Sequence, residues 1–115
     1  MAVKARLQNY RVSSQKARLL ADSIRGKGVE DALTILDLSS KRFAKPLAKL
    51  VRSAVANANE KNDRDKAGID IDNLVVTRIS VDQGASMWRI RPRAQGRAAW
   101  IQRKTSHVSV ELAEH

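Results

Sequence analysis

Cysteine is absent from the 115-residue sequence. That excludes a disulfide framework, thiol catalysis and any zinc site built on thiolates. Histidine occurs only at His107 and His115, and two residues so placed make no metal site of ordinary histidine spacing. The five glycines are scattered, so no glycine-rich loop is present to cradle a phosphate. Aromatic residues number four, which leaves Leu, Ile, Val and Ala to build the core. The longest uncharged stretch, Ser53 to Asn59, falls far short of the roughly 20 residues of a membrane helix. Lys4, Arg6 and Arg11 interrupt any apolar block of signal-peptide type at the N-terminus. The first acid is Asp22, as in a transit peptide, but the segment before it alternates instead of following helical spacing. The expectation is a non-secreted, cytoplasmic chain without membrane segment, cofactor or small-molecule substrate.

What is abundant is positive charge. Lys and Arg total 22 against 12 Asp and Glu, a net charge of +10. Residues 1–25 carry +5, residues 26–83 carry +1, residues 84–104 carry +6 with no acid, and residues 105–115 carry −2. Two basic blocks thus flank a nearly neutral middle, which implies a polyanionic partner.

Val3, Ala5 and Leu7 alternate with Lys4, Arg6 and Gln8, so residues 2–10 read as a strand with one basic face. Ser13 is placed as the N-cap of a helix whose apolar stripe is Ala17, Leu20, Ala21 and Ile24, closed by Gly26. A shorter helix is expected from Val29 to Leu36, with Glu30 and Asp31 in the first turn, where the helix dipole favours acids. The longest helix carries Ala44, Leu47, Ala48, Val51, Val55 and Ala58. Its start is placed near Pro46, and a polar loop is placed over Asn59–Gly68. From Ile69 the period becomes two, through Ile71, Val75, Thr77, Ile79 and Val81, predicting one long strand. Val108, Val110 and Leu112 mark the returning strand. The fold class is α+β: a small three-stranded antiparallel sheet packed on three helices, with a long protruding β-hairpin, all in one domain over residues 1–115.

The hairpin is residues 84–104. Arg89, Arg91 and Arg93 occupy alternate positions and share a face, while Trp88, Ile90, Pro92 and Ala94 take the other. Gly84 and Gly96 permit sharp changes of direction. Arms of about a dozen residues would reach roughly 40 Å. Six cations without an acid repel one another, and an isolated two-stranded hairpin is marginal in water. The expected partner therefore supplies both negative charge and a surface, as folded RNA does. Arg outnumbers Lys 13 to 9 and offers a planar fork matched to phosphate. Trp88 and Trp100 can stack on bases.

Other readings are weaker. A solvated basic edge that only confers solubility does not explain the missing acids or the two tryptophans. Lys4, Arg6, Arg11, Lys16 and Arg18 could be merely outward-facing, but their common sign argues for a second contact patch. An architectural DNA-binding protein with Pro92 as a wedge would ordinarily dimerise, and no symmetric dimer face is evident. Catalysis by Ser106 and His107 is disfavoured, because strand neighbours point to opposite faces. Asp72 and Asp82 lie about 33 Å apart along a strand, too far to share a metal.

The run Ser13-Ser14-Gln15-Lys16-Ala17-Arg18-Leu19, followed by Ile24-Arg25-Gly26-Lys27, resembles the start of the bacterial large-subunit ribosomal protein L twenty-two family. Ser53-Ala54-Val55-Ala56-Asn57-Ala58 is similar to its third helix. Arg89 through Arg97 and Arg103-Lys104-Thr105-Ser106-His107-Val108 resemble its most recognisable segment. Trp88 departs from the family, standing where a basic residue is common. The resemblance implies a non-catalytic constituent of the large subunit that binds its rRNA and aids subunit assembly. The globular part would sit near the mouth of the polypeptide exit tunnel. A hairpin tip of Met87, Trp88, Arg89, Ile90, Arg91, Pro92 and Arg93 would line the tunnel. Lys4, Arg6, Arg11, Lys16, Arg18, Lys27, Arg89, Arg91, Arg93, Arg97, Arg103 and Lys104 are the expected RNA contacts. Neighbouring ribosomal proteins and the nascent polypeptide are the further partners implied. A bacterial ribosome is favoured over an organelle one.

Overall fold

The computed structural model describes residues 2–66, 68–92 and 94–114. Strand β1 (Ala2–Tyr10) leads into helices α1 (Ser14–Ile24), α2 (Val29–Leu38) and α3 (Ala44–Asp65). Then come β2 (Leu74–Gln83), β3 (Met87–Pro92), β4 (Ala98–Arg103) and β5 (Ser106–Glu114). β5 is the centre of an antiparallel sheet of order β1-β5-β2, and β3 pairs with β4 in a separate ladder. The α+β class and its three-stranded sheet follow the sequence pattern.

The helices cover one face of the sheet. Ala17, Leu20, Ala21 and Ile24 of α1 are all buried, as their spacing requires, with Leu36 from α2 and Leu47, Ala48, Val51, Ala54 and Ala58 from α3. The sheet contributes Val3, Val76, Ile79, Val81, Val108, Val110 and Leu112. The Ser13 hydroxyl caps α1 by accepting from the Lys16 N–H at 3.3 Å. Gly26 follows in the left-handed region at φ +79°. Its N–H donates to Val76 O at 2.9 Å, and the Val76 N–H donates to Lys27 O at 2.9 Å, so the α1 exit is pinned to the outer edge of β2. On the other edge, Asn57 of α3 donates from Nδ2 to Lys4 O at 3.0 Å. Side chains and loops thus occupy carbonyls that would otherwise template edge-to-edge pairing.

Three expectations need correction. First, α3 starts at Ala44, two residues before Pro46, and runs to Asp65 instead of ending near Asn59. Pro46 is the third helical residue. Its missing N–H is one of the four that have no partner inside any helix, so no bond is lost. The polar last turns persist because Asn62 clamps the following chain: it accepts from the Ile69 N–H and donates to Ile69 O, both at 2.7 Å. Second, the strand starts at Leu74, not Ile69. Residues Ile71–Asn73 form a 3₁₀ turn, capped by the Asp70 carboxylate accepting from the Asp72 N–H at 3.1 Å, so Asp70 and Asp72 do not share a strand face with Asp82. Third, the inward phase changes within β2. Val76 pairs with Leu112 and Arg78 with Glu111, so Thr77 is an extra residue in a β-bulge. Leu74 and Val76 therefore point inward before it, and Ile79 and Val81 after it, while Thr77 is exposed.

The hairpin leaves the sheet as a continuation of β2 and β5, joined by the Gly84 N–H donating to Thr105 O at 2.9 Å. Its ladder has six pairs, from Met87–Arg103 to Pro92–Ala98, and is shorter than arms of a dozen residues. The molecule measures 64 × 27 × 16 Å. Gly96, at φ +72°, serves the tip. Gly84 serves a close approach instead of a turn: a Cβ there would lie 2.7 Å from Thr105 Oγ1 and 3.2 Å from His107 Nε2. Thr105 cannot simply rotate away, because its hydroxyl donates to Ala85 O. Gly84→Ala is expected to destabilise the protein by about 1–3 kcal/mol, read as a lowered thermal midpoint. An unchanged midpoint would show that the root of the arm yields freely.

Candidate nucleic-acid interface

The expected basic residues fall into groups set by strand register. In the arm, cross-strand partners share a face. Arg89 opposes Ile101, Arg91 opposes Ala99, and Met87 opposes Arg103, so Arg89, Arg91 and Arg103 lie on one face. All three are exposed. Arg97 is exposed beside the tip turn, where its N–H donates to Ala94 O at 3.5 Å. Arg93, expected on the same face, lies outside the described residues, as does His115.

At the root of the arm is a cleft of about 710 Å³. Arg11, Lys16, Lys41, Arg42, Arg103 and Lys104 ring it, over apolar side chains that include Val12, Leu19, Leu20 and Phe43. No acid lines it. The N-terminus of α1 opens here with no acid in its first turn, so the partial positive charge of the helix end adds to the field. Arg103 belongs both to this cleft and to the arginine face, which makes the two surfaces one.

Lys4 and Arg6 lie elsewhere, on the sheet face turned away from the helices. There Lys4 and Arg78 flank Glu111 across the strands, and Arg6 sits in the next row, opposite Ser109. A groove between β1 and α3 adds Lys45 and Lys49 to Arg6. Lys27 does not line the root cleft. It lies beside Val76, seven residues and roughly 23 Å back along β2 from Gln83.

Arg18 is employed differently. Its guanidinium donates to Val81 O at 3.0 Å, and that of Arg25 donates to Ile79 O at 3.0 Å, so both fasten α1 to the edge of β2. Arg18→Ala is expected to lower stability by about 1 kcal/mol and to leave the salt dependence of RNA binding nearly unchanged. A reduced salt slope with an unaltered melting point would make it a phosphate contact after all.

The Ser106–His107 pair takes the opposite-face arrangement expected of it. Ser106 is fully buried and donates to Val12 O at 2.8 Å. His107 faces the other way, its Nδ1 accepting from the Asn9 N–H at 3.0 Å. That bond supports a bulge in β1 where Asn9 takes φ +55°. The imidazole is a packing element at the root of the arm, as its sequence position suggested.

Comparison with known proteins decides the family. Residues 5–113 match the family model described as ribosomal protein L22p/L17e. The chain is also 52% identical, over 108 residues, to the large ribosomal subunit protein uL22 of Anaeromyxobacter sp. (strain Fw109-5), covering 94% of this chain and 72% of that one. The chain belongs to the L22p/L17e family. It is therefore a structural ribosomal protein, not an enzyme.

Lys41, Arg42 and Arg78 belong to the basic surfaces of the candidate interface, and sequence reasoning missed them. Lys41-Arg42 is an adjacent basic pair in the loop between α2 and α3, and averaging charge over the long middle block hid it. Arg78 faces outward beside Glu111, as its alternation with Ile79 and Val81 implies, and the same averaging hid it.

Proposed function

We propose that the chain is a structural component of the large ribosomal subunit, one domain with a basic arm, that binds large-subunit rRNA. The observation that carries this is the acid-free surface running from the root cleft through Arg103 to Arg89 and Arg91. Closely packed phosphates supply the charge that this surface needs, and release of their counterions favours association. Contacts are to backbone phosphate and RNA shape more than to sequence. In this reading the helices and sheet lie near the mouth of the exit tunnel among neighbouring ribosomal proteins. The tip, Met87 to Arg93, lines the tunnel where the nascent polypeptide passes. The arm, threading between RNA segments, also aids subunit assembly. The bacterial relative favours a bacterial, cytoplasmic ribosome.

Gradient co-sedimentation tests this. The tagged chain is expected to travel stoichiometrically with large subunits through a high-salt wash. Migration with chromosomal DNA, or release at modest salt, would overturn the proposal.

A further inference from the structure

Within the described β3–β4 ladder, only one face of the arm is cationic. On the other, Trp100 lies directly opposite Ile90, and Trp88 occupies the neighbouring row opposite Gln102. These three large side chains are 60% (Trp88), 58% (Ile90) and 67% (Trp100) exposed. None belongs to the core, to which no described residue of the arm contributes. Three adjacent exposed apolar side chains mark a docking surface, and its surroundings specify the occupant. Residues 84–104 contain six cations and no acid, so whatever covers the tryptophans must also satisfy the charges behind and beside them. An unpaired nucleobase is a flat apolar ring tethered to phosphate, and it meets both requirements.

The spacing fits as well. Diagonal neighbours across two strands are about 7–8 Å apart, roughly twice the 3.4 Å separation of stacked bases. Trp88 and Trp100 are such neighbours, and Ile90 lies beside both, two residues along the strand from Trp88 and opposite Trp100. We propose that the Trp88–Ile90–Trp100 face is a stacking platform for unpaired rRNA bases, one base seated between the two indoles, while the arginine face neutralises phosphates. This rests on the rRNA-binding reading and adds to it a second, non-ionic mode of contact.

Trp88 and Trp100 are the only tryptophans in the chain, so tryptophan emission, excited selectively over that of Tyr10, reports on this face alone. With the full chain and large-subunit rRNA, the indoles are expected to be quenched and shielded from acrylamide. Replacing both with alanine is expected to weaken rRNA binding about fivefold or more without changing the salt slope, and replacement with phenylalanine is expected to restore most of the affinity. A single-stranded adenine 12-mer is expected to quench the emission, whereas an abasic 12-mer of equal charge should bind without quenching. Tight rRNA binding with both indoles still open to acrylamide would overturn the platform and leave the rRNA reading intact. Shielding that appears only when other ribosomal proteins are added would overturn it too, and would assign the face to a protein partner. Absence of any rRNA binding would overturn both.

Discussion

Replacing Arg89, Arg91 and Arg103 with alanine in one variant is expected to weaken rRNA binding by roughly two decades at 0.1 M salt. The estimate follows from counterion release: each neutralised phosphate contributes about 0.7–0.9 to the slope of log K against log salt. Three lost contacts therefore flatten the slope by about 2–3 units, and the affinity loss shrinks as salt rises. The variant should melt at the same temperature as the parent, because none of the three side chains enters the core. Strand register puts Arg103 on the face of Arg89 and Arg91 although it lies on the returning strand. Filter binding between about 0.05 and 0.5 M salt measures the slope. A parallel line displaced downward would mean that the arginines act by something other than phosphate neutralisation. The tryptophan substitutions give that parallel displacement by design, so the two faces have opposite signatures in a single plot.

Much of the architecture is legible in apolar periodicity. The i, i+3, i+4, i+7 spacing of Ala17, Leu20, Ala21 and Ile24 identifies the buried face of α1 outright. Alternation in β5 does the same for Val108, Val110 and Leu112. Ser13 and Gly26 mark both ends of α1 because each has a specific backbone job there. Legibility fails where a tertiary partner overrides local pattern. The polar turns after Asn59 look like loop, yet they stay helical where Asn62 holds Ile69. Thr77 sits at an apparently inward position, yet the bulge turns it outward, where its hydroxyl donates to Glu111 O at 3.1 Å.

The candidate site divides in the same way. The arm's two faces follow directly from alternation in Trp88 to Pro92, since a period of two needs only an extended chain. The root cleft does not. It gathers Arg11 and Lys16 from the start of the chain, Lys41 and Arg42 from the middle, and Arg103 and Lys104 from near its end. Only the packing of α1 and α3 against the sheet brings those segments together. Charge alone also does not reveal the bond from Arg18 to Val81 O, because a guanidinium that ties a helix to a strand edge looks the same in sequence as one that meets phosphate.

Leu112→Ala is expected to cost about 3–4 kcal/mol, the largest loss of stability from any single truncation proposed for this chain. Leu112 is fully buried in the central strand, with Val3 opposite it on β1 and Val76 opposite it on β2. Hydrogen-bonded strands on both sides hold the backbone in place, so the walls cannot close over the missing methyl groups, and the cavity term adds to the lost transfer free energy. For a domain of this size the thermal midpoint should fall by roughly 12–16 °C. Leu38→Ala is the matched control. Leu38 ends α2 with 83% of its surface exposed, and its truncation should stay within about 0.5 kcal/mol. A loss below about 1 kcal/mol for Leu112→Ala would show that the sheet relaxes around the cavity. Leu112 also lies six residues, roughly 20 Å, along β5 from Ser106 at the root of the arm. Below its lowered midpoint, the variant should therefore bind rRNA with the parent's salt slope. The arginine triple should show the reverse, parental melting with a flattened slope. That double dissociation would establish that the buried apolar core builds the scaffold and that the arginine face acts as a separable contact surface upon it.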